Sequence, residues 1–198
     1  MNDKTELLIE GYPRSGNTYC YAKYKLLNPS LHIASHRHEF GHIHYALLKR
    51  IPVVVVARNP LDTVSSLVIR EHVSVSFALN YYYYFHKRVF SFIDQIRVFS
   101  FETLINNEEL TLFNINEINF RKTTENEERK IKLMIYKMEQ LDSGRKQIRH
   151  THLAFPNKKK EEKKKYVKDL IREKYPKLLK KSDDIYNKIL VNAHTSIT

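Results

Sequence analysis

Residues 7–18 read LLIEGYPRSGNT, an apolar run followed at once by a turn. The apolar part stops before Gly11 and Pro13, and a short apolar run that ends in turn residues is typical of a buried strand. A helix is predicted to follow from Asn17 to Leu27, ending near Pro29. These residues therefore predict a strand, a turn and a helix, which is the repeating unit of an α/β protein.

The alternation of strands and helices continues along the chain. The run from Ile51 to Ala57 contains four consecutive valines, and β-branched residues without alternation indicate a strand buried on both faces of a parallel sheet. The predicted fold class is therefore α/β, an open and mainly parallel sheet flanked by helices, with ligands at the carboxyl ends of its strands. The other predicted elements are a strand at 31–34, a helix at 39–50, a helix opened by Asn59-Pro60, a helix at 77–96, a strand at 96–101 and a basic helical C-terminal segment at about 158–190 that breaks at Pro176.

The composition indicates one soluble domain. The chain has 198 residues, of which 42% are hydrophobic. This length is sufficient for one buried core and too short for two ordinary domains. Residues 1–198 are therefore interpreted as a single domain with a loosely attached basic tail. No apolar run approaches the roughly 20 residues that span a bilayer, and a lone cysteine, Cys20, cannot form an internal disulfide. A cytoplasmic protein without a membrane span is expected.

The net charge of +12 predicts a surface that attracts anions. Much of the excess lies between Lys158 and Lys181, where a solvated helix face is the simpler explanation. A nucleic-acid-binding module would also use such charge, but no recognition motif occurs in the sequence, so no nucleic-acid partner is expected. The tyrosine run at 81–84 is interpreted as part of a helix that covers the sheet, and not as a substrate cage.

Residues 11–18 have the spacing of a phosphate-binding loop, G-x-x-x-x-G-K-[ST], except that Asn17 stands in place of the lysine. In nucleoside-triphosphate enzymes that lysine reaches the β- and γ-phosphates, so this loop is predicted to hold a ligand without a γ-phosphate. Backbone N–H groups at the start of a helix favour an anion. Arg14 adds a permanent positive charge with forked donors.

Two motifs resemble those of sulfotransferases that use 3′-phosphoadenosine 5′-phosphosulfate (PAPS). Residues 12–19, YPRSGNTY, are similar to the 5′-phosphosulfate loop of that family, P-[KR]-S-G-[TN]-T-W. Residues 58–66, RNPLDTVSS, are similar to its second motif, R-N-P-x-D-x-x-x-S, and again follow a predicted buried strand. Weaker similarities at 97–104, to a strand ending in Y-E-D-L, and at Ile185-Tyr186, to the last helix, extend the resemblance over most of the chain.

The resemblance implies a P-loop sulfotransferase architecture related to the nucleotide kinases. It also implies transfer of a sulfuryl group from PAPS to a hydroxyl or amine of an acceptor, with a carbohydrate or a small alcohol as candidates. Adenosine 3′,5′-bisphosphate would be the product, and no metal would be required. Asp62 is interpreted as a helix-start residue. The residues that the resemblance assigns to the cofactor are Pro13, Arg14, Ser15, Gly16, Asn17 and Thr18 at the 5′-phosphosulfate, Arg58 and Ser66 at the 3′-phosphate, Tyr19 at the adenine, and Phe101; Arg14 is also assigned a catalytic role.

The resemblance also implies a catalytic base. Removing a proton from the acceptor requires a base with a pKa near neutrality, for which histidine is the natural choice. The family carries this base in a T-H or S-H pair after its second strand, and Ser35-His36 fits that position. His36 is therefore the predicted base and His38 the second candidate, because a residue two positions beyond a strand end need not point into the same cleft.

The sequence departs from the family pattern at two places. Ala34 stands where many relatives have a lysine, so one charge is missing or is supplied by Arg37. The late R-K-G segment that completes the 3′-phosphate site is absent, and residues 144–146 or 158–160 are its candidate substitutes.

Three other interpretations are weighed against the sulfotransferase. A relative that binds PAPS or adenosine 3′,5′-bisphosphate without transfer fits the two departures. A P-loop nucleotide kinase shares the fold plan but needs the lysine that Asn17 replaces. A metal site built from histidines is disfavoured, because no carboxylates or thiolates occur at matching spacing; its four histidines are His36, His38, His42 and His44.

Overall fold

The computed structural model describes residues 1–35, 38–106, 118, 120–143 and 158–195. Its described strands form one open sheet in which every strand is parallel to its neighbours, in the order β2-β1-β3-β4. The predicted α/β class with a parallel sheet is confirmed. The strands are β1 (Leu7–Glu10), β2 (Ile33–Ser35), β3 (Val53–Ala57) and β4 (Arg97–Ser100).

Helices lie on both faces of the sheet. One face buries Leu7 and Ile9 and the other buries Leu8, as expected from the alternation of side chains along a strand. The helices are α1 (Asn17–Leu27), α2 (Phe40–Leu48), α3 (Pro60–Glu71), α4 (Val75–Phe90), α5 (Phe101–Ile105), α6 (Glu125–Ser143), α7 (Lys158–Lys174) and α8 (Pro176–Thr195). None of these helices, within the described part of the chain, is long and apolar enough to cross a membrane.

Three helix starts are set by side-chain caps. Asn59 accepts a hydrogen bond from the backbone N–H of Leu61 at 3.0 Å, and a proline follows at the first helical position. Ser74 caps α4, so that helix begins at residue 75 and not at the predicted 77. Ser100 accepts from the N–H of Thr103 at 2.9 Å and starts α5. The predicted strand at 96–101 is therefore too long by one residue at each end, since β4 begins at Arg97 and residue 101 is helical.

The predicted helix at 77–96 is also wrong at its end. Helix α4 stops at Phe90, and a short 3-10 helix, Ile93–Gln95, leads into β4. The four tyrosines at 81–84 lie in α4, as predicted, with Tyr82 fully buried and Tyr84 mostly exposed.

The basic C-terminal segment is packed and is not a loose tail. Its predicted break at Pro176 is confirmed, because α7 ends at 174 and α8 begins with the proline. Val167 and Ile171 of α7 and Ile185 of α8 are buried in the same core as the sheet residue Leu8. Helix α7 packs against α3, and α8 packs against α4.

The strand order creates a switch point between β1 and β3. The chain leaves β1 through α1 to the strand on one side and returns through α2 to the strand on the other side. In open α/β sheets, ligands bind in the crevice at such a point, outside the carboxyl ends of the strands. The loop at 11–16 and the residues that begin at Arg58 leave the sheet at this crevice.

Candidate anion-binding site

The loop between β1 and α1 is tightly turned. Gly16 has φ 104°, and a Cβ there would lie 2.6 Å from Cδ2 of Phe101. A Cβ on Gly11 would lie 2.5 Å from the backbone oxygen of Val56. Arg14 has φ 71°, a left-handed conformation that costs a non-glycine residue about 1–2 kcal/mol. Such strain persists where surrounding contacts enforce it.

Helix α1 begins without a side-chain cap, because its N-cap residue is Gly16. The first backbone N–H groups of a helix have no partner within the helix, and the helix dipole places partial positive charge at that end. The start of α1 therefore has the electrostatic character of an anion site.

The structure brings the two sequence motifs together. Arg14 Nε donates a hydrogen bond to Ser66 Oγ at 3.2 Å, across 52 residues of sequence. Arg58 Nη1 donates to the backbone oxygen of Arg14 at 3.3 Å. The Arg58 guanidinium also stacks 3.9 Å from the ring centroid of Phe101. Two arginines, a serine hydroxyl and an aromatic ring are thus in one cluster with Gly16.

The two arginines lie in an environment that disfavours their charge. Burial, with smaller contributions from the positive charges of Arg70 and Arg58, lowers the pKa of Arg14 to about 10, and Glu139 partly opposes this shift. Burial also lowers the pKa of Arg58, against the opposing effect of Asp62. Arginine stays protonated at pH 7 in proteins, so a bound anion would offset the cost of burying these two charges.

Three buried polar atoms around the loop have no hydrogen-bond partner among the described residues. They are Ser15 Oγ, Asn17 Oδ1 and Arg58 Nε. Leaving a buried polar group unpaired costs about 1–3 kcal/mol, and such groups are rare outside functional sites. Two of them, Ser15 Oγ and Arg58 Nε, can donate a hydrogen bond to an anion.

Asn17 has a different role from the lysine of a nucleotide-kinase loop. Its Nδ2 donates to the backbone oxygens of Gly11 at 3.1 Å and Tyr12 at 3.3 Å, and its side chain is almost fully buried. The amide donor is used within the loop, so the group that Asn17 can offer an anion is its backbone N–H. Pro13 and Thr18 lie beside it, partly exposed.

The predicted base, His36, lies outside the described residues, as does Arg37. His38 is described, and its Nδ1 lies 2.9 Å from the backbone oxygen of Gly11. His38 therefore contacts the loop through its ring. Burial lowers the pKa of His38, with a smaller contribution from Arg70, so the ring is neutral at pH 7.

Tyr19 extends from α1 toward α6. Its hydroxyl donates to Glu128 Oε1 at 2.8 Å, and burial raises its pKa. The ring packs beside the small apolar cluster that α1 and α6 share. The polar end of Tyr19 is therefore fixed on α6, which leaves its ring as the part that can contact an adenine.

Lys164 is a site residue that the sequence prediction missed. The residue is only 9% exposed, and its Nζ lies 3.7 Å from Glu161 Oε1, beyond hydrogen-bond distance. One turn further along α7, Lys168 forms an ion pair with Asp62 in the first turn of α3. Burial lowers the pKa of Lys164, and the nearby charge of Arg58 lowers it as well.

Lys164 is a buried cation close enough to Arg58 for the two charges to repel each other. The candidates proposed from the sequence are placed differently: residues 144–146 lie outside the described residues, and residues 158–160 form the first turn of α7. A local pattern could not identify Lys164, because it stands in a run of lysines and only the packing of α7 on α3 buries it.

No protein-family model matches the chain, and no curated protein matches it significantly. Within the described part of the chain, no group of three or more histidine, cysteine, aspartate or glutamate side chains is arranged to hold a metal ion. The evidence on function is therefore the cluster around Arg14 and Arg58 and the two motifs that form it.

Proposed function

We propose that the chain is a PAPS-dependent sulfotransferase of the P-loop type, acting on a hydroxyl or amine of a carbohydrate or small-molecule acceptor. One observation carries the proposal. The two segments that resemble the family, 12–19 and 58–66, meet at the crevice between β1 and β3 through Arg14, Ser66 and Arg58. These segments are distant in sequence, so their meeting at one cluster supports a common ligand.

The residues present suit a nucleotide with phosphates at both the 5′ and 3′ positions. The start of α1 and Arg14 would hold the 5′-phosphosulfate, and unpaired Ser15 Oγ would face the same ligand. Arg58, Ser66 and Lys164 would hold the 3′-phosphate, since a forked guanidinium can bind two phosphate oxygens. The rings of Phe101 and Tyr19 are the aromatic surfaces for the adenine.

Bound PAPS supplies the sulfuryl group, whose sulfur bonds to the acceptor oxygen or nitrogen as its bond to the bridging phosphate oxygen breaks and adenosine 3′,5′-bisphosphate leaves. His36 accepts the acceptor's proton in this proposal, with His38 as the second candidate. Arg14 stabilises the negative charge that develops on the bridging oxygen, because its guanidinium is fixed beside the loop.

The site supports a nucleotide kinase less well. A kinase loop uses its lysine on the β- and γ-phosphates, and here Asn17 donates inward to the carbonyls of Gly11 and Tyr12. The loop therefore holds no cation at the position that a triphosphate requires.

A thermal-shift comparison tests the proposal. Adenosine 3′,5′-bisphosphate should stabilise the protein more than AMP or ATP with magnesium does. At a hundredfold excess over its dissociation constant, it should add about 2.7 kcal/mol to the free energy of unfolding of the ligand-free protein. Equal or greater stabilisation by ATP with magnesium would favour the kinase. Nucleotide binding without transfer from labelled PAPS to any acceptor in a broad panel would indicate a relative that has lost the chemistry.

A further inference from the structure

His38 has an unusual backbone conformation next to the loop. Its φ is 57°, in the left-handed region that costs most non-glycine residues energy. Its backbone N–H donates to the buried carboxylate of Glu10 at 2.9 Å, and its backbone oxygen accepts from the hydroxyl of Tyr81. Both backbone polar groups are thus held, and these contacts maintain the strained conformation.

The imidazole of His38 contacts the first residue of the loop. Its Nδ1 lies 2.9 Å from the backbone oxygen of Gly11 and 3.3 Å from Asn17 Nδ2. A carbonyl oxygen can only accept, and the two hydrogens of Asn17 Nδ2 already have carbonyl acceptors in Gly11 and Tyr12, so we assign the proton to Nδ1. Asn17 Nδ2 donates to the same oxygen at 3.1 Å. One carbonyl therefore receives two donors, and the two donor atoms are neighbours, 3.3 Å apart.

The orientation of this carbonyl matters for anion binding. A loop that binds an anion must present N–H groups to it and turn its carbonyl oxygens away. The oxygen of Gly11 is turned toward His38 and Asn17, and Asn17 also takes the oxygen of Tyr12 at 3.3 Å. His38 and Asn17, the first residue of α1, thus give the carbonyl oxygens of Gly11 and Tyr12 side-chain donors and fix the direction in which these oxygens point.

We propose that His38 is a positioning residue that holds the Gly11 carbonyl and thereby fixes the phosphate loop in its anion-binding conformation. The effect on affinity rests on the proposed function, since the loop is the place where the 5′-phosphate would bind. His38 acts on the ligand through the loop, so it should affect the 5′ group and leave the preference for a 3′-phosphate unchanged.

Two substitutions distinguish the effect of the His38 ring from the effect of its positive φ. Glycine adopts a positive φ without cost, so His38→Gly removes the ring alone. Asparagine also tolerates the left-handed region and has an amide donor, so His38→Asn should restore most of the effect. His32→Asn makes the same substitution at an exposed histidine and is the matched control.

Isothermal titration should measure the affinity of each variant for AMP and for adenosine 3′,5′-bisphosphate. His38→Gly should weaken both nucleotides by about tenfold and leave the ratio of the two affinities unchanged. His38→Asn and His32→Asn should stay within about threefold of wild type. Wild-type affinity for AMP in His38→Gly would overturn the inference, as would a loss confined to the nucleotide with the 3′-phosphate.

Amide hydrogen exchange in the ligand-free protein tests, without any nucleotide, whether His38 holds the loop in place. Exchange at residues 12–16 should be faster in His38→Gly than in wild type or His38→Asn, because the carbonyl is no longer held. If wild type bound neither nucleotide, the proposed function would fail. The exchange rates would still decide the inference, and unchanged rates in His38→Gly would overturn it.

Discussion

Replacing Lys164 by methionine should weaken nucleotide binding and stabilise the empty protein. Lys164 is 9% exposed and its nearest described carboxylate oxygen is 3.7 Å away, so its charge is poorly compensated in the fold. A charge-assisted hydrogen bond to a 3′-phosphate is worth about 1.5–3 kcal/mol. Lys164→Met should therefore weaken adenosine 3′,5′-bisphosphate roughly 10- to 150-fold and leave AMP unchanged.

Lys164→Met should lower nucleotide affinity but raise the stability of the ligand-free protein. Burial and Arg58 lower the pKa of Lys164, which means that its charged form is less favourable in the folded protein than in the unfolded chain. Methionine fills a similar volume without the charge. The free energy of unfolding should therefore rise, and each kcal/mol gained would raise Tm by roughly 2–4 °C for a chain of this size. This gain should be smaller above the lowered pKa, where Lys164 is neutral.

Lys165→Met is the matched control, because Lys165 is the next residue in α7 and is exposed. It removes the same charge from the chain, so it corrects for any general electrostatic effect on anion affinity. Titration calorimetry and thermal unfolding on both variants suffice. The reasoning fails if both variants lose affinity equally, or if Lys164→Met loses stability while keeping full affinity for the 3′-phosphate.

Three further predictions concern other parts of the molecule. Arg58→Ala should abolish the preference for adenosine 3′,5′-bisphosphate over AMP in titrations while the protein stays folded by circular dichroism, because it removes the forked donor; a retained preference would contradict the role of the second motif. His36→Ala should leave nucleotide affinity nearly unchanged and reduce turnover of labelled PAPS by roughly 10² to 10⁴, and full activity would refute His36 as the base. Burial lowers the pKa of His86 to about 4, so stability should fall as the pH drops from about 6.5 toward 4, by roughly 3 kcal/mol in total; urea titrations of His86→Phe should show a weaker loss, and an equal loss would assign the effect to other groups.

The strands and the loop could be predicted from the sequence because their signals are local. Four valines in succession have few alternatives to a buried parallel strand, and β3 occupies most of the predicted range. The same holds for the break at Pro176, which follows from the missing N–H of proline. Errors occur where one side chain decides a boundary, as at Ser100, whose cap turns Phe101 from a strand residue into the first residue of α5.

The contacts of the site could be predicted only in part. The two motifs identify Arg14, Arg58 and Ser66, but nothing in either motif shows that Arg14 itself donates to Ser66. The position of His38 depends on a left-handed backbone and on Glu10, and neither has a sequence signal at residue 38. Lys164 required the packing of α7 on α3, a tertiary contact that a run of lysines does not predict.

Asn17 stands where the phosphate-binding loop of nucleoside-triphosphate enzymes has a lysine, and the structure shows what the asparagine does instead. A lysine at this position would place its charge on the ligand, whereas Asn17 donates to the carbonyls of Gly11 and Tyr12. Compared with a loop that carries the lysine, this loop has two additional internal hydrogen bonds and lacks the lysine's positive charge. The positive charge of the site is carried instead by Arg14 and Arg58, which approach from the loop and from the end of β3. A loop without the lysine lacks the cation that a γ-phosphate requires, so the departure at Asn17 and the meeting of the two motifs both support the proposed ligand, which has no γ-phosphate.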